Sequence, residues 1–220
     1  MRGGPAANER LTSATGLVLL VLLAVETLTT LVLGTFLDVH LFLGLLLLPV
    51  VALKLGSTGW RFARYYTRNP AYRAAGPPQP LLRTLAPLLV AATLLLFGTG
   101  VALLIQGHGG GELRTLHTFS FIAWGVLVGI HVLAYLTRIV RDGTADWRPR
   151  AGAGARARRA LLLGSLLAGV VVALATYSTQ QSFLAHHHHR DDFRRGTSAI
   201  APPLPRALVL RHVTVVRTAP

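Results

Sequence analysis

The sequence has no cysteine and few charged residues, and both shortages restrict what the chain can be. Without cysteine, this chain forms no disulfide, supplies no thiolate to an iron–sulfur cluster and has no thiol for catalysis. Only 14% of the 220 residues are charged, whereas a soluble domain carries about 25%. The composition therefore argues against a soluble globular domain.

Acidic residues and lysine are also scarce. Eight Asp and Glu stand against 22 Lys and Arg, which gives a formal net charge of +14. In a soluble chain this balance would suggest nucleic-acid binding. Here the arginines cluster between apolar segments, as in loops that stay on the cytoplasmic side of a membrane. No nucleic-acid partner is therefore expected.

Apolar residues make up most of the chain: 52% are hydrophobic, and the mean hydropathy is +0.52. Several segments exceed the ~18 residues that cross a hydrocarbon core of about 30 Å. We therefore predict an all-α polytopic protein of the lipid bilayer, with a four-helix bundle and a fifth transmembrane helix. The predicted parts are a cytoplasmic N-terminus (1–11), the bundle (12–140), a basic cytoplasmic loop (141–160), the fifth helix (161–177) and an extracytoplasmic, flexible tail (178–220).

The arginine-rich loops at 56–83 and 138–159 predict the orientation. Such loops stay inside, so the N-terminus lies in the cytoplasm and the C-terminus outside the plasma membrane. The first apolar run is longer than the core of a signal peptide, and no A-x-A cleavage site follows it. An uncleaved helix is expected there. The aromatic residues in the 56–83 loop are typical of a membrane-interface anchor.

The fourth span, within 113–135, carries His117 and His131, fourteen residues apart. A helix turns ~100° and rises ~1.5 Å per residue, so the two lie about 21 Å apart and within about 40° of one face. That separation suggests one haem near each side of the bilayer. The second span, 40–55, runs in the same direction and opens with His40. Two imidazoles at equal depth on parallel helices are better explained as axial ligands of one haem iron than as isolated polar residues.

The corresponding inner position on the second span is Lys54, the only lysine in the chain. Three interpretations remain open. Lys54 ligates iron opposite His131 as a neutral amine, or it pairs with a haem propionate or a quinone oxygen, or it snorkels to the interface. His131 then ligates a five-coordinate haem iron, shares a haem whose other ligand comes from another chain, or forms only hydrogen bonds.

Glu26 lies in the middle of the first span, where a charge is costly, so it is a candidate functional residue. It either transfers protons at a quinone site, pairs with Lys54, or bonds to a neighbouring helix as a neutral acid. In the tail, four histidines occupy His186 to His189. A flexible histidine run can capture metal, but we interpret it as a polar spacer.

The segments DVHLFLG (38–44) and LHTFSFIAWGVLVGIHVL (116–133) resemble the di-haem transmembrane cytochrome b superfamily. More narrowly, they are similar to the small bacterial membrane subunits that anchor hydrogenases, formate dehydrogenases and related molybdenum enzymes. The resemblance covers roughly 12–140 and implies a four-helix haem-binding bundle. It also implies that His40 and His117 ligate an outer haem b and that His131 ligates an inner one. Lys54 stands where the family has the fourth histidine, so we expect one haem b, with two as the alternative.

The resemblance further implies an electron-transfer subunit of an oxidoreductase, working between a redox partner subunit and quinone, rather than a self-contained enzyme. Two other interpretations remain open. One is a cofactor-free integral membrane accessory or assembly protein with structural histidines. The other is a reductase acting on iron or quinone. That reductase would need an external electron donor, since the sequence has no nicotinamide or flavin motif.

Overall fold

The computed structural model describes residues 4–76, 80–107, 111–148 and 153–186, and all regular secondary structure in those ranges is helical. A single 3₁₀ turn, at Ala145–Trp147, joins two of the helices. A further helical stretch covers 177–186. The α-helices are α1 (Gly4–Leu31), α2 (Leu33–Tyr66), α3 (Pro70–Ala74), α4 (Pro80–Gln106), α5 (Glu112–Gly143) and α6 (Ala155–Ala175).

Five of these helices are long and apolar enough to cross a membrane: α1, α2, α4, α5 and α6. Large apolar side chains lie on the outer surface, including Leu133 at 81% exposure and Ile105 at 75%. Exposing so much apolar surface to water would be energetically unfavourable, whereas contact with lipid chains carries no such cost. The prediction of an all-α, multi-pass membrane protein with five spans is confirmed.

Helices α1, α2, α4 and α5 form a four-helix arrangement in which α2 and α5 occupy opposite corners. Helix α1 packs against both α2 and α5, and α4 packs against α5 and touches α2 only lightly. Within the described ranges, α2 and α5 do not pack along each other. The fifth span, α6, packs on the outside of α2. The two helices that carry the candidate ligands therefore face each other across the bundle.

Several helices extend further than the sequence predicted. Helix α2 continues to Tyr66, although 56–83 was expected to be a loop, because glycine inside a helix costs only about 1 kcal/mol. Its N-terminal end also lies before His40: a turn at Val32 joins it directly to α1, and Phe36 then interrupts the helical backbone (φ −117, ψ 29). Helix α5 reaches Gly143 and α6 begins at Ala155, which shortens the basic loop between them.

Helix α6 crosses α2 at a point of close backbone approach. A Cβ atom added at Gly169 would collide with the backbone carbonyl group of Leu46. Glycine is therefore required for this contact. One turn further along α6, Ala173 is fully buried and packs in a cluster with Leu45 and Leu104.

A buried ion pair holds the helices together at the end of the bundle nearest Lys54, called the inner end after the orientation that the sequence predicts; the end nearest His40 is called the outer end. The guanidinium of Arg158 donates hydrogen bonds of 2.5 and 2.6 Å to the carboxylate of Asp146. Arg159 donates to the backbone carbonyl of Asp146, and Arg10 lies 3.8 Å from its carboxylate. We call these four residues the inner clasp; they connect α1, the 3₁₀ turn and α6.

Candidate functional site

At the outer end of the bundle, α1 holds the imidazole of His40. The Nδ1 atom of His40 lies 2.8 Å from Oε1 of Glu26 and 3.4 Å from Oγ1 of Thr29. A Cβ atom at Gly44, one turn further along α2, would lie 3.6 Å from that same carboxylate oxygen. Gly44 therefore lies in ordinary contact distance of the Glu26 carboxylate, between α1 and α2.

The imidazole of His117 is held in a similar way by α4. Its Nδ1 lies 3.0 Å from Oγ1 of Thr99. The Thr99 hydroxyl donates to the carbonyl oxygen of Leu95 at 2.8 Å, so its oxygen accepts from Nδ1–H of His117. A Cβ at Gly100 would lie only 3.2 Å from Cε1 of this ring. Thr99 thus accepts a hydrogen bond from the imidazole, and Gly100 leaves the space that the ring occupies.

Both rings are bonded through Nδ1 among the described residues, and this leaves Nε2 for a metal. A histidine that donates Nδ1–H to a carboxylate or other oxygen is fixed in the tautomer that binds metal through Nε2. The partner oxygen also orients the ring and raises the basicity of the ligand. Both histidines therefore have the hydrogen bonding expected of metal ligands.

Two side-chain pairs lie at equal depths on α2 and α5. His40 is within electrostatic range of His117, and Lys54 is within electrostatic range of His131. Since both pairs follow the same fourteen-residue step, α2 and α5 run in the same direction. His40 thus lies at the same end of the bundle as His117, and Lys54 lies at the same end as His131.

The inner pair differs from the outer pair in how it is held. The ammonium group of Lys54 donates a 2.8 Å hydrogen bond to the carbonyl oxygen of Thr12 on α1. A Cβ at Gly16 would lie 2.9 Å from Nζ of Lys54. Nearby, Ser57 accepts hydrogen bonds from Asn8 and Thr12, each at 3.0 Å. The lysine is therefore bound to the backbone of α1.

His131 lies beside Tyr135, one turn further along α5. The two ring centroids are 5.0 Å apart, and the planes are tilted by 47°. Such an arrangement is an ordinary aromatic contact within one helix. At the inner end, the His131 imidazole thus lies opposite the Lys54 ammonium group, which is hydrogen-bonded to Thr12.

Glu26 pairs with His40, and the ion pair with Lys54 that the sequence left open does not form. Its second oxygen, Oε2, is buried with no hydrogen-bond partner among the described residues. A buried oxygen of this kind is costly unless something bonds to it. The sequence interpretation missed Thr29, Thr99 and Gly100. The sequence feature that could have identified them is a hydroxyl residue or a glycine near the outer end of the neighbouring spans α1 and α4.

Within the described residues, no group of three or more His, Asp or Glu side chains could hold a metal ion. A haem needs fewer protein ligands, because the macrocycle supplies four nitrogens and the protein only the axial positions. Of the tail histidines, His186 lies in the described part of the chain, with Nδ1 2.6 Å from the carbonyl oxygen of Ser182. His187 to His189 lie outside the described residues.

Comparison of the chain with protein-family models, curated proteins and solved structures finds no match. The resemblance to the cytochrome b superfamily therefore stays a prediction. The geometry of His40 and His117 is the basis for a functional proposal.

Proposed function

We propose that the chain is a membrane-embedded b-type cytochrome subunit. It holds one haem b between His40 and His117 and passes electrons between a redox partner protein and quinone. One observation carries the proposal. Two imidazoles lie at the same end of the bundle on opposite helices, and each is bonded through Nδ1 to a neighbouring helix.

The placement of the two helices supports this assignment. Helices in direct contact have axes about 8–10 Å apart, which leaves no room between them for two imidazoles and an iron atom. Helices at opposite corners of a bundle are further apart, and bundle cores are where cofactors of this kind bind. Helices α2 and α5 have this relationship.

The residues at the outer end fit a haem b. Glu26 and Thr99 orient His40 and His117 and hold each in the tautomer that leaves Nε2 for iron. Gly100 keeps the space beside the His117 ring clear. When bound, the haem supplies a one-electron Fe(III)/Fe(II) couple. His40 and His117 would hold the haem, and these ligands with their apolar surroundings would tune the potential of such a couple.

The inner end does not fit a second haem with two axial ligands. Lys54 is the only candidate partner that the sequence offers for His131, and its ammonium group is bonded to Thr12. An ammonium carries no lone pair for iron, and deprotonation would also weaken this bond. One haem per chain is therefore the proposed count.

The proposed orientation keeps the N-terminus in the cytoplasm and the C-terminus outside the plasma membrane. Its support is the placement of arginine. Arg61, Arg64, Arg68 and Arg73 follow the apolar part of α2, and Arg156, Arg158 and Arg159 begin α6. Short basic segments beside spans stay on the cytoplasmic side. The His40–His117 pair then lies near the outer leaflet.

A haem count tests the proposal directly. The full chain is expressed with added haem and purified, and the pyridine haemochrome and the reduced-minus-oxidised spectrum are recorded. We expect one haem b per chain, with a spectrum typical of two axial imidazoles. Colourless protein would refute the proposal and favour a cofactor-free accessory protein. Two haems would refute the single site.

A pair of glycine variants on α4 gives a matched control. In Gly100→Leu the new side chain would displace the His117 ring, because even a Cβ lies 3.2 Å from it. In Gly98→Leu the Cβ meets nothing within 4 Å. We expect Gly100→Leu to lose most of the haem and Gly98→Leu to keep it. Equal retention would contradict the proposed position of the haem.

A further inference from the structure

A cleft of about 310 Å³ opens between the inner ends of α1, α2 and α6. Leu11, at 1% exposure, and Ser57 form its floor. Trp60 and Leu161 form its rim and are 44% and 45% exposed. The cleft therefore opens sideways, on the lipid-facing surface of the helices. It is separate from the space between α2 and α5.

The cleft follows from the way α6 crosses α2. The two backbones approach closely at Gly169 and Leu46. Leu161 lies eight residues before Gly169, which is about 12 Å along the helix. Helices that cross at an angle separate on either side of the crossing. Towards the outer end Phe183 and Leu104 fill the gap, whereas towards the inner end the cleft stays open.

The rim of the cleft is basic. The guanidinium of Arg64 lies over the Trp60 ring, 5.4 Å from its centroid. Its Nε atom is buried with no hydrogen-bond partner among the described residues. The inner clasp flanks the other side, since Arg10 precedes Leu11 and its three arginines stand against one aspartate. Arginine side chains therefore lie on both sides of an apolar opening.

We propose that this cleft binds an anionic phospholipid, with part of one acyl chain against Leu11 and the phosphate at Arg64. Guanidinium binds phosphate through several hydrogen bonds at once. A basic residue beside the membrane surface also attracts anionic lipid. The volume is at the low end of the ~300–1,000 Å³ of small-molecule sites, so it holds a segment of one chain. This inference does not depend on haem binding.

The lining favours a lipid over a quinone or a second copy of the chain. A quinone needs hydrogen-bond donors for its carbonyl oxygens. The polar side chain on the floor, Ser57, already donates to the carbonyl oxygen of Lys54 at 3.0 Å. A second copy in a two-fold dimer would bring the same basic rim against itself, and like charges would repel.

Native mass spectrometry of the full chain tests the proposal. The detergent-solubilised protein is titrated with phosphatidylglycerol or with phosphatidylcholine. We expect one phosphatidylglycerol per chain, held at least roughly tenfold more tightly than phosphatidylcholine, because one charged hydrogen bond accounts for about that factor.

Matched variants locate the site. Gly56 lies on the cleft and a Cβ there meets nothing within 4 Å, so Gly56→Leu fills the cleft without a clash and should abolish lipid retention. Gly59 is equally open but does not line the cleft, so Gly59→Leu should retain the lipid. Arg64→Gln should bind phosphatidylglycerol roughly tenfold more weakly, and Arg73→Gln, with the same loss of charge, should not.

Three results would overturn the proposal. They are equal retention of the two lipids, unchanged phosphatidylglycerol binding by Gly56→Leu, and equal weakening by Arg64→Gln and Arg73→Gln. A dimer that dissociates in Gly56→Leu would also overturn it. Thermal unfolding without added lipid checks that each variant is folded.

Discussion

The outer and inner ends of α2 and α5 have the same spacing but different chemistry. At the outer end, His40 and His117 each receive a hydrogen-bond partner from a neighbouring helix. At the inner end, the side chain opposite His131 is Lys54, which bonds to the backbone of α1. Equal spacing therefore places residues at equal depth. The hydrogen-bond partners on α1 and α4 determine whether a pair of side chains at that depth has the tautomer and orientation of metal ligands.

Removing the histidines one at a time gives the largest expected difference between the two ends. His40→Ala and His117→Ala should each lose the haem spectrum, because each removes an axial ligand. His131→Ala should retain it. The pyridine haemochrome of each purified variant measures this difference. Loss of haem in His131→Ala alone would move the site to the inner end.

The inner clasp gives the next largest effect, on stability. Asp146→Asn leaves Arg158 buried without its counter-charge, and the two side chains are only 4% and 9% exposed. Breaking such a pair from one side costs about 3–5 kcal/mol. Unfolding in detergent, followed by circular dichroism, measures the loss. The pair Arg141–Asp142, in which the arginine is 71% exposed, is the control: Asp142→Asn should lower stability much less than Asp146→Asn, because solvent screens an exposed ion pair.

The same clasp predicts a pH dependence. The hydrogen bonds from Arg158 hold the pKa of Asp146 below its usual value. The pair therefore stabilises the folded state fully above the ordinary aspartate pKa of about 3.9. This contribution is lost as pH falls from there through the lower pKa of the folded state. Asp146→Asn should remove that part of the acid sensitivity, and unchanged acid unfolding would contradict the assignment.

Changing the partners of the outer histidines should have a smaller effect, on the haem potential. Glu26→Gln keeps an acceptor oxygen for His40 but removes a negative charge that stabilises Fe(III). We expect the midpoint potential to rise by roughly 60 mV, which corresponds to about 1.4 kcal/mol for one electron. Thr99→Val removes only a neutral partner of His117 and should shift the potential less. Redox titration measures both shifts, and equal shifts would contradict the difference between the two partners.

The smallest effect is expected from Lys54→Met. Methionine keeps the length of the side chain but cannot donate to Thr12. The haem count and spectrum should not change, because Lys54 does not ligate iron in the proposed site. A lower haem count would show that the inner end binds haem after all.

The sequence predicted the helical class and the five spans because long apolar runs in lipid must satisfy their own backbone hydrogen bonds. It also placed His40 at the depth of His117, since helical rise is regular. It did not predict the partners of these side chains. The bonds from His117 to Thr99 and from Lys54 to Thr12 depend on helix rotation and neighbour choice, which the spacing within one helix does not determine. Helix ends were also missed, as at Tyr66, because glycine only weakens a helix.

The short turn at Val32 has a consequence for how the proposed site is divided along the chain. It makes α1 and α2 a hairpin, so the contact between Glu26 and His40 lies within one hairpin of consecutive helices. The contact between Thr99 and His117 belongs to a second hairpin, α4 and α5. Each half of the proposed site therefore belongs to a different hairpin, and a haem bound between the halves would link one hairpin to the other.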